Sequence, residues 1–213
     1  MTADALTILS GLPWTLALTG VALLLGVIIG IPIALARRSR FVFVWLAAAT
    51  FIAVTRSIPP LVWLFIIFFG LGTGYIQISP FLAATVAFGL IATANMAEIY
   101  RGGLMAVQHG QWDAAEVLGL SPVHTFVDII APQAVRVSLP SAASYAIGLL
   151  KDTATASTIG VTELSFQAYQ LSQKTFSGLY AFGLVAAIYI LVSLPVAWLS
   201  RTADSYLRAK VAR

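Results

Sequence analysis

Long apolar runs alternate with short polar segments along this chain. Residues 12–36 carry no charge and are followed by the basic cluster Arg37–Arg40. About 20 apolar residues cross a bilayer as a helix, so the pattern predicts a membrane span at 12–36 with its basic end in the cytoplasm. Gly26 and Gly30 would let another helix approach this span closely, although two merely tolerated glycines explain the pair equally well.

A proline pair interrupts the second apolar run, residues 41–72. Its only charge is Arg56, and Pro59-Pro60 must break or bend a helix. Two separate spans of about 15 residues would each be ~22 Å long, which is short for a ~30 Å core. One broken span also leaves the basic clusters at 37–40 and at the C-terminus on the same side of the membrane. We therefore predict one broken span, followed by an outer turn at 73–80.

Three further spans are predicted at 81–102, 138–160 and 178–200, with an amphipathic helical turn in the outer loop between the last two. The fold class is then an all-α membrane protein with five transmembrane helices in a single domain, residues 1–213. The N-terminus lies outside and the C-terminus in the cytoplasm. Five spans cannot form two equal inverted halves, so a two-fold pathway would need a second subunit.

The composition agrees with a lipid environment. The chain is 60% hydrophobic and 9% charged, whereas soluble domains carry about 25% charged residues. No cysteine is present, which excludes disulfides and thiolate metal sites. His109 and His124 lack a third ligand, so we expect no metal site. The basic residues lie at span ends and indicate topology, not nucleic-acid binding. No nucleophile–base constellation suggests an enzyme.

Polar residues inside the predicted spans are the candidate substrate pathway. A charge at the bilayer centre costs at least roughly 2.5–3.5 kcal/mol. Arg56 and Asp152 have the same predicted depth, so an ion pair between them is plausible, and whether these charges hold the bundle or line a pathway stays open. Glu98 is either an interfacial carboxylate near Arg101, or an inner gate or a site for a cationic side chain. The candidate pathway residues are Arg56, Asn95, Glu98, Lys151, Asp152, Thr153, Thr155 and Ser157.

A polar loop, residues 103–137, separates the third and fourth spans. Its centre, residues 110–132, is called the elbow below. Residues 111–118 predict a first helix, with Gly119 just past its end. Ser121 caps a second helix that begins at Pro122 and ends before Pro132. Composition alone does not distinguish a docking device from an ordinary cytoplasmic helical hairpin.

One motif in the elbow has a specific spacing. Asp113-Ala114-Ala115 is followed by Gly119 and then by Ile129, Ala131 and Pro132. This order resembles the cytoplasmic loop motif E-A-A, three residues, G, nine residues, I-x-L-P of permease subunits of bacterial binding-protein-dependent ABC importers. Asp replaces Glu at 113, and Ala replaces Leu at 131. Flanking segments resemble the polar amino acid branch (histidine, glutamine, glutamate, arginine or opine): residues 11–19, 56–61, 98–103, 110–112 and 151–153.

The resemblance implies the type I ABC importer permease architecture in the bacterial inner membrane. The elbow would be a coupling helix docked on an ATPase, through Trp112, Asp113, Ala114, Ala115, Glu116, Gly119, Leu120, Ser121 and Pro122. The implied partners are a second permease subunit, identical or paralogous, two ATP-binding subunits and an extracytoplasmic substrate-binding protein.

ATP and Mg would be bound by the partner ATPase, since the chain has no G-x-x-x-x-G-K-[ST] motif, and no cofactor is expected on this chain. The predicted function is the membrane subunit and translocation pathway of an ATP-driven amino acid importer. The alternative is an ion-gradient-driven secondary transporter or channel that uses Arg56, Lys151 and Asp152.

Overall fold

The computed structural model describes residues 2–71 and 77–211, and all regular structure in these residues is helical. Residues 73–76 of the predicted outer turn at 73–80 lie outside the described residues, as does Arg213 of the C-terminal basic cluster. The α-helices are α1 (Thr2–Leu9), α2 (Leu12–Ala36), α3 (Val42–Ser57), α4 (Pro60–Leu71), α5 (Pro80–Met105), α6 (His109–Val117), α7 (Pro122–His124), α8 (Ala131–Asp152), α9 (Leu164–Thr175) and α10 (Gly178–Val211).

Helix α5 is the centre of the bundle, with α2, α3, α4 and α8 packed against it. Many of its buried residues are small, including Ala84, Ala87 and Ala92, so neighbouring helices can approach closely. Added Cβ atoms on Gly26 and Gly30 of α2 would lie only 2.7 Å and 2.9 Å from the Cβ atoms of Ala92 and Met96. The expectation that these glycines permit close helix packing is therefore confirmed.

The second apolar run is broken at its proline pair. Ile58 is extended (φ −96°, ψ 129°), as expected for a residue before proline, and α3 and α4 meet at an angle of 101°. Pro59 has no N–H to donate to the carbonyl of Thr55. The indole Nε1 of Trp63 donates to that oxygen instead, at 3.0 Å, so the Thr55 carbonyl keeps a hydrogen-bond donor at the break.

By length and composition, three helical stretches in the described residues could cross a membrane: Asp4–Ala36, Pro80–Met105 and Gly178–Pro195. The bent pair α3–α4 would be a fourth if it forms one span. Helix α10 continues past the predicted end at 200 to Val211. The predicted amphipathic turn of the outer loop is the helix α9.

Two expectations about the region from the elbow to the fourth span were wrong. The elbow's second helix does not end before Pro132, because helical structure continues from Pro122 to Asp152. A π-helical turn, Thr125–Ile130, joins α7 to α8, and Ala131 N–H donates to the carbonyl of Phe126, five residues back. This wider turn accommodates Pro132, whose ring would clash with a carbonyl four residues earlier in a regular α-helix.

The fourth predicted span is also not one regular helix. Helix α8 ends at Asp152, and the chain tightens into a 3₁₀ helix, Thr153–Ile159, that closes at Gly160 with φ 92°. Hydroxyl side chains at Thr153, Thr155 and Ser157 donate to backbone carbonyls three residues earlier. Such bonds compete with the regular helical pattern. Lys151 and Asp152 therefore lie at the end of a helix, not near its middle.

Candidate functional site

The elbow has the turn that its sequence predicts. Gly119 adopts φ +67°, and the N–H groups of Gly119 and Leu120 donate to the carbonyls of Glu116 and Ala115 at 2.9 Å and 3.1 Å. This is the Schellman arrangement that ends a helix at glycine. The hydroxyl of Ser121 then accepts from His124 N–H at 3.3 Å and caps the next helix. Local sequence therefore fixes the sharp turn between α6 and α7.

Most of the predicted docking residues are exposed at this turn, but two are not. Ala115 is completely buried, so it packs inside the hairpin and leaves no room for a partner. Trp112 is half-buried against the cluster of Leu104, Val107, Ile130 and Ala134. The exposed docking residues are Asp113, Ala114, Glu116, Gly119, Leu120, Ser121 and Pro122.

Three apolar residues at the turn were missed by the sequence reasoning. Val117, Leu118 and Val123 have exposed fractions of 87%, 73% and 70%; we call them the apolar tip. In the sequence, these apolar residues interrupt an otherwise polar segment, and this interruption could have indicated an exposed apolar surface. Clustered exposed apolar residues mark an interaction surface.

The elbow is packed firmly onto the membrane helices. Gly103 of α5 lies against Ser138 and Ala134 of α8, with no space for a Cβ atom. Ser138 Oγ donates to the carbonyl of Ile99 at 3.2 Å, and Gln133 Nε2 donates to Gln111 Oε1 at 3.1 Å. The elbow is therefore joined to α8 by a side-chain hydrogen bond, next to a tight contact between α5 and α8.

The predicted pathway residues form two groups. Arg56, Asn95 and Glu98 line a cavity of about 320 Å³. Asn95 and Glu98, three residues apart on α5, therefore share the face that borders this cavity. Glu98 accepts two hydrogen bonds from Arg101, at 2.9 Å and 2.8 Å. Asp152 belongs to the other group, so the predicted ion pair between Arg56 and Asp152 is wrong. Among the described residues, the ion pairs within 4 Å are Glu98–Arg101 and Asp128–His124.

The second group lies where α8 meets the 3₁₀ helix. Lys151 and Asp152 are exposed in this chain, and Lys151 lines a cavity of about 540 Å³ together with Tyr189 and Ser193 of α10. Thr153 is fully buried. The hydroxyls of Thr153, Thr155 and Ser157 use their hydrogens on backbone carbonyls of their own helix, so toward a ligand they could only accept.

Tyr145 joins the two groups and was missed by the sequence reasoning. It lies seven residues before Asp152 on α8, and therefore on nearly the same helix face. Its hydroxyl lies close to the side-chain amide of Asn95 and within electrostatic range of Asp152. That hydroxyl is buried, and its approach to Asn95 does not reach hydrogen-bond geometry, so it has no partner in the described part of the chain. An unpaired buried hydroxyl is costly, and a polar ligand could satisfy it.

A strongly apolar helical chain with polar cavities between its helices and an exposed turn beside them is typical of a membrane transport subunit. The chain belongs to the family of inner membrane components of binding-protein-dependent transport systems, whose family model matches residues 22–209. The permease class inferred from the elbow motif is therefore confirmed. This family disfavours the secondary transporter alternative, since its members work as parts of binding-protein-dependent systems.

Two curated relatives and one solved structure agree with this assignment. The chain is 36% identical to the probable amino-acid ABC transporter permease protein YckA of Bacillus subtilis, over 85% of this chain and 80% of that protein. It is 34% identical to the arginine ABC transporter permease protein ArtQ of Haemophilus influenzae, over 84% of each. Its fold matches the crystal structure of an amino acid ABC transporter with histidines, with a TM-score of 0.91, 33% identity, and coverage of 97% of this chain and 96% of that chain.

Proposed function

We propose that this chain is the membrane-spanning subunit of an ATP-driven importer of a polar or charged amino acid in the bacterial inner membrane. The observation that carries the proposal is the exposed apolar tip on a turn with the loop motif of the family. An ATPase needs such a surface in order to act on the membrane helices.

The proposed assembly contains a second permease subunit, two ATP-binding subunits and an extracytoplasmic substrate-binding protein. This chain is expected to form one domain with five spans, its N-terminus outside and its C-terminus in the cytoplasm. ATP and Mg are bound by the ATPase, and this chain performs no hydrolysis. Closure of the ATPase pair moves the docked elbows and shifts the membrane helices from inward-open to outward-open, because the nucleotide favours one of the two states.

The proposed pathway passes the two polar groups and Tyr145. An amino acid needs an acceptor for its ammonium group and a donor for its carboxylate. Asn95, Glu98 and Asp152 supply acceptors, and Arg56, Lys151 and the Tyr145 hydroxyl supply donors. One relative is named for arginine, and a cationic side chain would suit the Asp152 carboxylate, since Glu98 is already paired with Arg101. The Thr153, Thr155 and Ser157 hydroxyls contribute acceptors only.

The pathway is tested by Tyr145→Phe and Asp152→Asn. Each removes one polar function with little change of volume, so we expect uptake to fall roughly tenfold, as for loss of about 1.4 kcal/mol of binding, with little change in thermal stability. Thr158→Val is the control, because Thr158 donates to the carbonyl of Thr155 and is exposed at the far end of the 3₁₀ helix. Unchanged uptake with a lower Tm would assign both residues a structural role instead.

The proposed energy source is tested by uptake into proteoliposomes that contain the purified transporter and its binding protein. We expect uptake of a radiolabelled amino acid only when ATP and Mg are present on the ATPase side. Uptake driven by a sodium or proton gradient without ATP would support the secondary transporter alternative.

A further inference from the structure

The cytoplasmic end of α2 borders a basic cavity. This cavity, of about 710 Å³, lies between the ends of α2 and α5 and the start of α6, and is lined by Arg37, Arg38, Arg101, Trp45, Trp112 and Asp113, among others. Arg101 is neutralised by Glu98. Arg37 and Arg38 have no carboxylate within 4 Å in the described part of the chain. Neither arginine is in ion-pair contact, although Asp113 lines the same cavity and Glu98 lies within electrostatic range of Arg37. The two positive charges outnumber the one carboxylate that is left unpaired in the cavity.

Both free guanidinium groups are held in place by tryptophan. Arg37 lies 5.0 Å from the centroid of the Trp45 ring, and Arg38 lies 5.5 Å from that of Trp112. These are cation–π distances. The Nε of Arg37 is buried and has no hydrogen-bond partner among the described residues. A general excess of cytoplasmic arginine does not require a buried guanidinium nitrogen without a partner beside a second, exposed arginine that stacks on tryptophan. The two arginines therefore point to an anionic ligand.

An apolar groove continues from this cavity toward the middle of the membrane. It has a volume of about 370 Å³ and runs between α2, α5 and α8, and Leu104 lines both spaces. Its few polar groups are occupied: Tyr100 Oη donates to the carbonyl of Val27 and Ser138 Oγ to that of Ile99, both at 3.2 Å. Ile31 and Leu35 keep 49% and 45% of their surface exposed on its wall.

We propose that the groove and the basic cavity together bind one anionic phospholipid of the inner leaflet. The phosphate lies at Arg37 and Arg38, away from Asp113, and an acyl chain lies in the groove. Basic pockets between membrane helices on the cytoplasmic side bind such head groups. Because Arg38 stacks on Trp112 of the elbow, the lipid contacts the same hairpin that carries the apolar tip.

The test is native mass spectrometry of the full-length chain, titrated with phosphatidylglycerol and with phosphatidylcholine of the same acyl chains. We expect tighter binding of phosphatidylglycerol, weakened roughly thirtyfold by the double substitution Arg37→Gln and Arg38→Gln, since each basic residue near the surface contributes about a factor of five. Arg40→Gln is the matched control. Arg40 lies in the same cluster, stacks on Phe41 and lines neither space.

A second variant keeps the test decisive if the double substitution disturbs insertion. Ala142→Trp fills the groove and leaves every charge in place, so it should weaken binding of both lipids. The proposal is overturned if the arginine variant retains the phosphatidylglycerol preference, or if Ala142→Trp binds the lipid normally. It is also overturned if inorganic phosphate alone displaces phosphatidylglycerol at equal concentration, since the acyl groove would then contribute nothing. None of these readouts depends on the transported substrate.

Discussion

Two adjacent glycines near the end of α5, Gly102 and Gly103, lie in different packing environments. A Cβ atom on Gly103 would collide with Ser138 Oγ and lie 2.6 Å from the carbonyl oxygen of Ala134, whereas a Cβ atom on Gly102 would meet nothing within 4 Å. Gly103 thus sets the distance between α5 and α8 where the elbow joins the bundle. Gly102 faces open space.

This contrast predicts opposite effects of the same substitution. Gly103→Ala should destabilise the chain by about 1–3 kcal/mol, because an overpacked contact must be relieved by moving backbone. Gly102→Ala should be neutral or stabilising by about 0.5–1 kcal/mol, because alanine favours the helix. Thermal unfolding of the two purified variants in one detergent measures the difference. Equal Tm values would show that the α5–α8 contact is not tight.

Helix α9 is tied to two membrane helices through its first residues. Glu163 is completely buried and accepts from Phe166 N–H at 2.8 Å and from Tyr189 Oη of α10 at 3.0 Å. Thr15 of α2 accepts from Leu164 N–H at 3.2 Å. Burial raises the pKa of Glu163 above its ordinary value, and the surrounding hydrogen-bond donors offset only part of that effect.

This shift predicts a pH dependence of stability. The folded chain holds the Glu163 proton more tightly than the unfolded chain, so this group favours folding less as pH rises above the ordinary carboxyl pKa and through the raised value. Glu163→Gln keeps an acceptor oxygen and removes the charge. Its Tm relative to the native chain should therefore increase between pH 5 and pH 8, by roughly 2–4 °C.

The control for this pH experiment is Glu116→Gln, at an exposed position of α6. We expect its Tm to follow that of the native chain across the range. A Glu163→Gln variant with the same pH profile as the native chain would show that this carboxyl does not titrate differently on folding.

Elements with strong local signals were predicted well, and those decided by packing were not. Gly119, Ser121 and the Pro59-Pro60 break follow from backbone chemistry that a few neighbouring residues determine. Pro132 and the hydroxyls of Thr153, Thr155 and Ser157 can each be accommodated in more than one way. The π-helical turn and the 3₁₀ helix are the forms that fit the packing of α8 against α5 and α10, which the sequence alone does not specify. Regular helix propensity therefore gave a wrong end at Pro132 and a wrong continuation at Thr153.

On the scale of the whole molecule, depth counted along single helices was a poor guide to contacts. Arg56 and Asp152 have similar residue counts from the starts of their predicted spans, but α3 packs against α5 and places Arg56 beside Asn95 and Glu98. The sequence predicted these charged residues as candidate site residues. Their division into two groups, and the position of Tyr145 between the groups, could be seen only once the packing of the helices was known. The motif in the elbow was the most informative feature of the sequence because its spacing reflects one continuous local structure.

The apolar tip offers cleaner test positions than the motif residues themselves. Ala115 is buried inside the hairpin, and Gly119 needs a positive φ, so substitutions there would damage the elbow whether or not it docks. Leu118 and Val123 are exposed and have negative φ angles, so charged residues at these positions should leave the fold intact. The proposed function requires that the apolar tip binds the ATPase.

The most direct measurement is co-purification of the ATPase subunits with Leu118→Glu and Val123→Glu variants, followed by ATP-driven uptake in proteoliposomes. A charge buried at the centre of an interface costs about 2 kcal/mol or more, so we expect at least roughly thirtyfold weaker association and loss of uptake, with an unchanged Tm. Gln108→Glu adds the same charge at the exposed residue that precedes α6, just before the elbow, and should behave as the native chain. Normal ATPase binding and uptake in both tip variants would contradict the proposal that the apolar tip binds the ATPase.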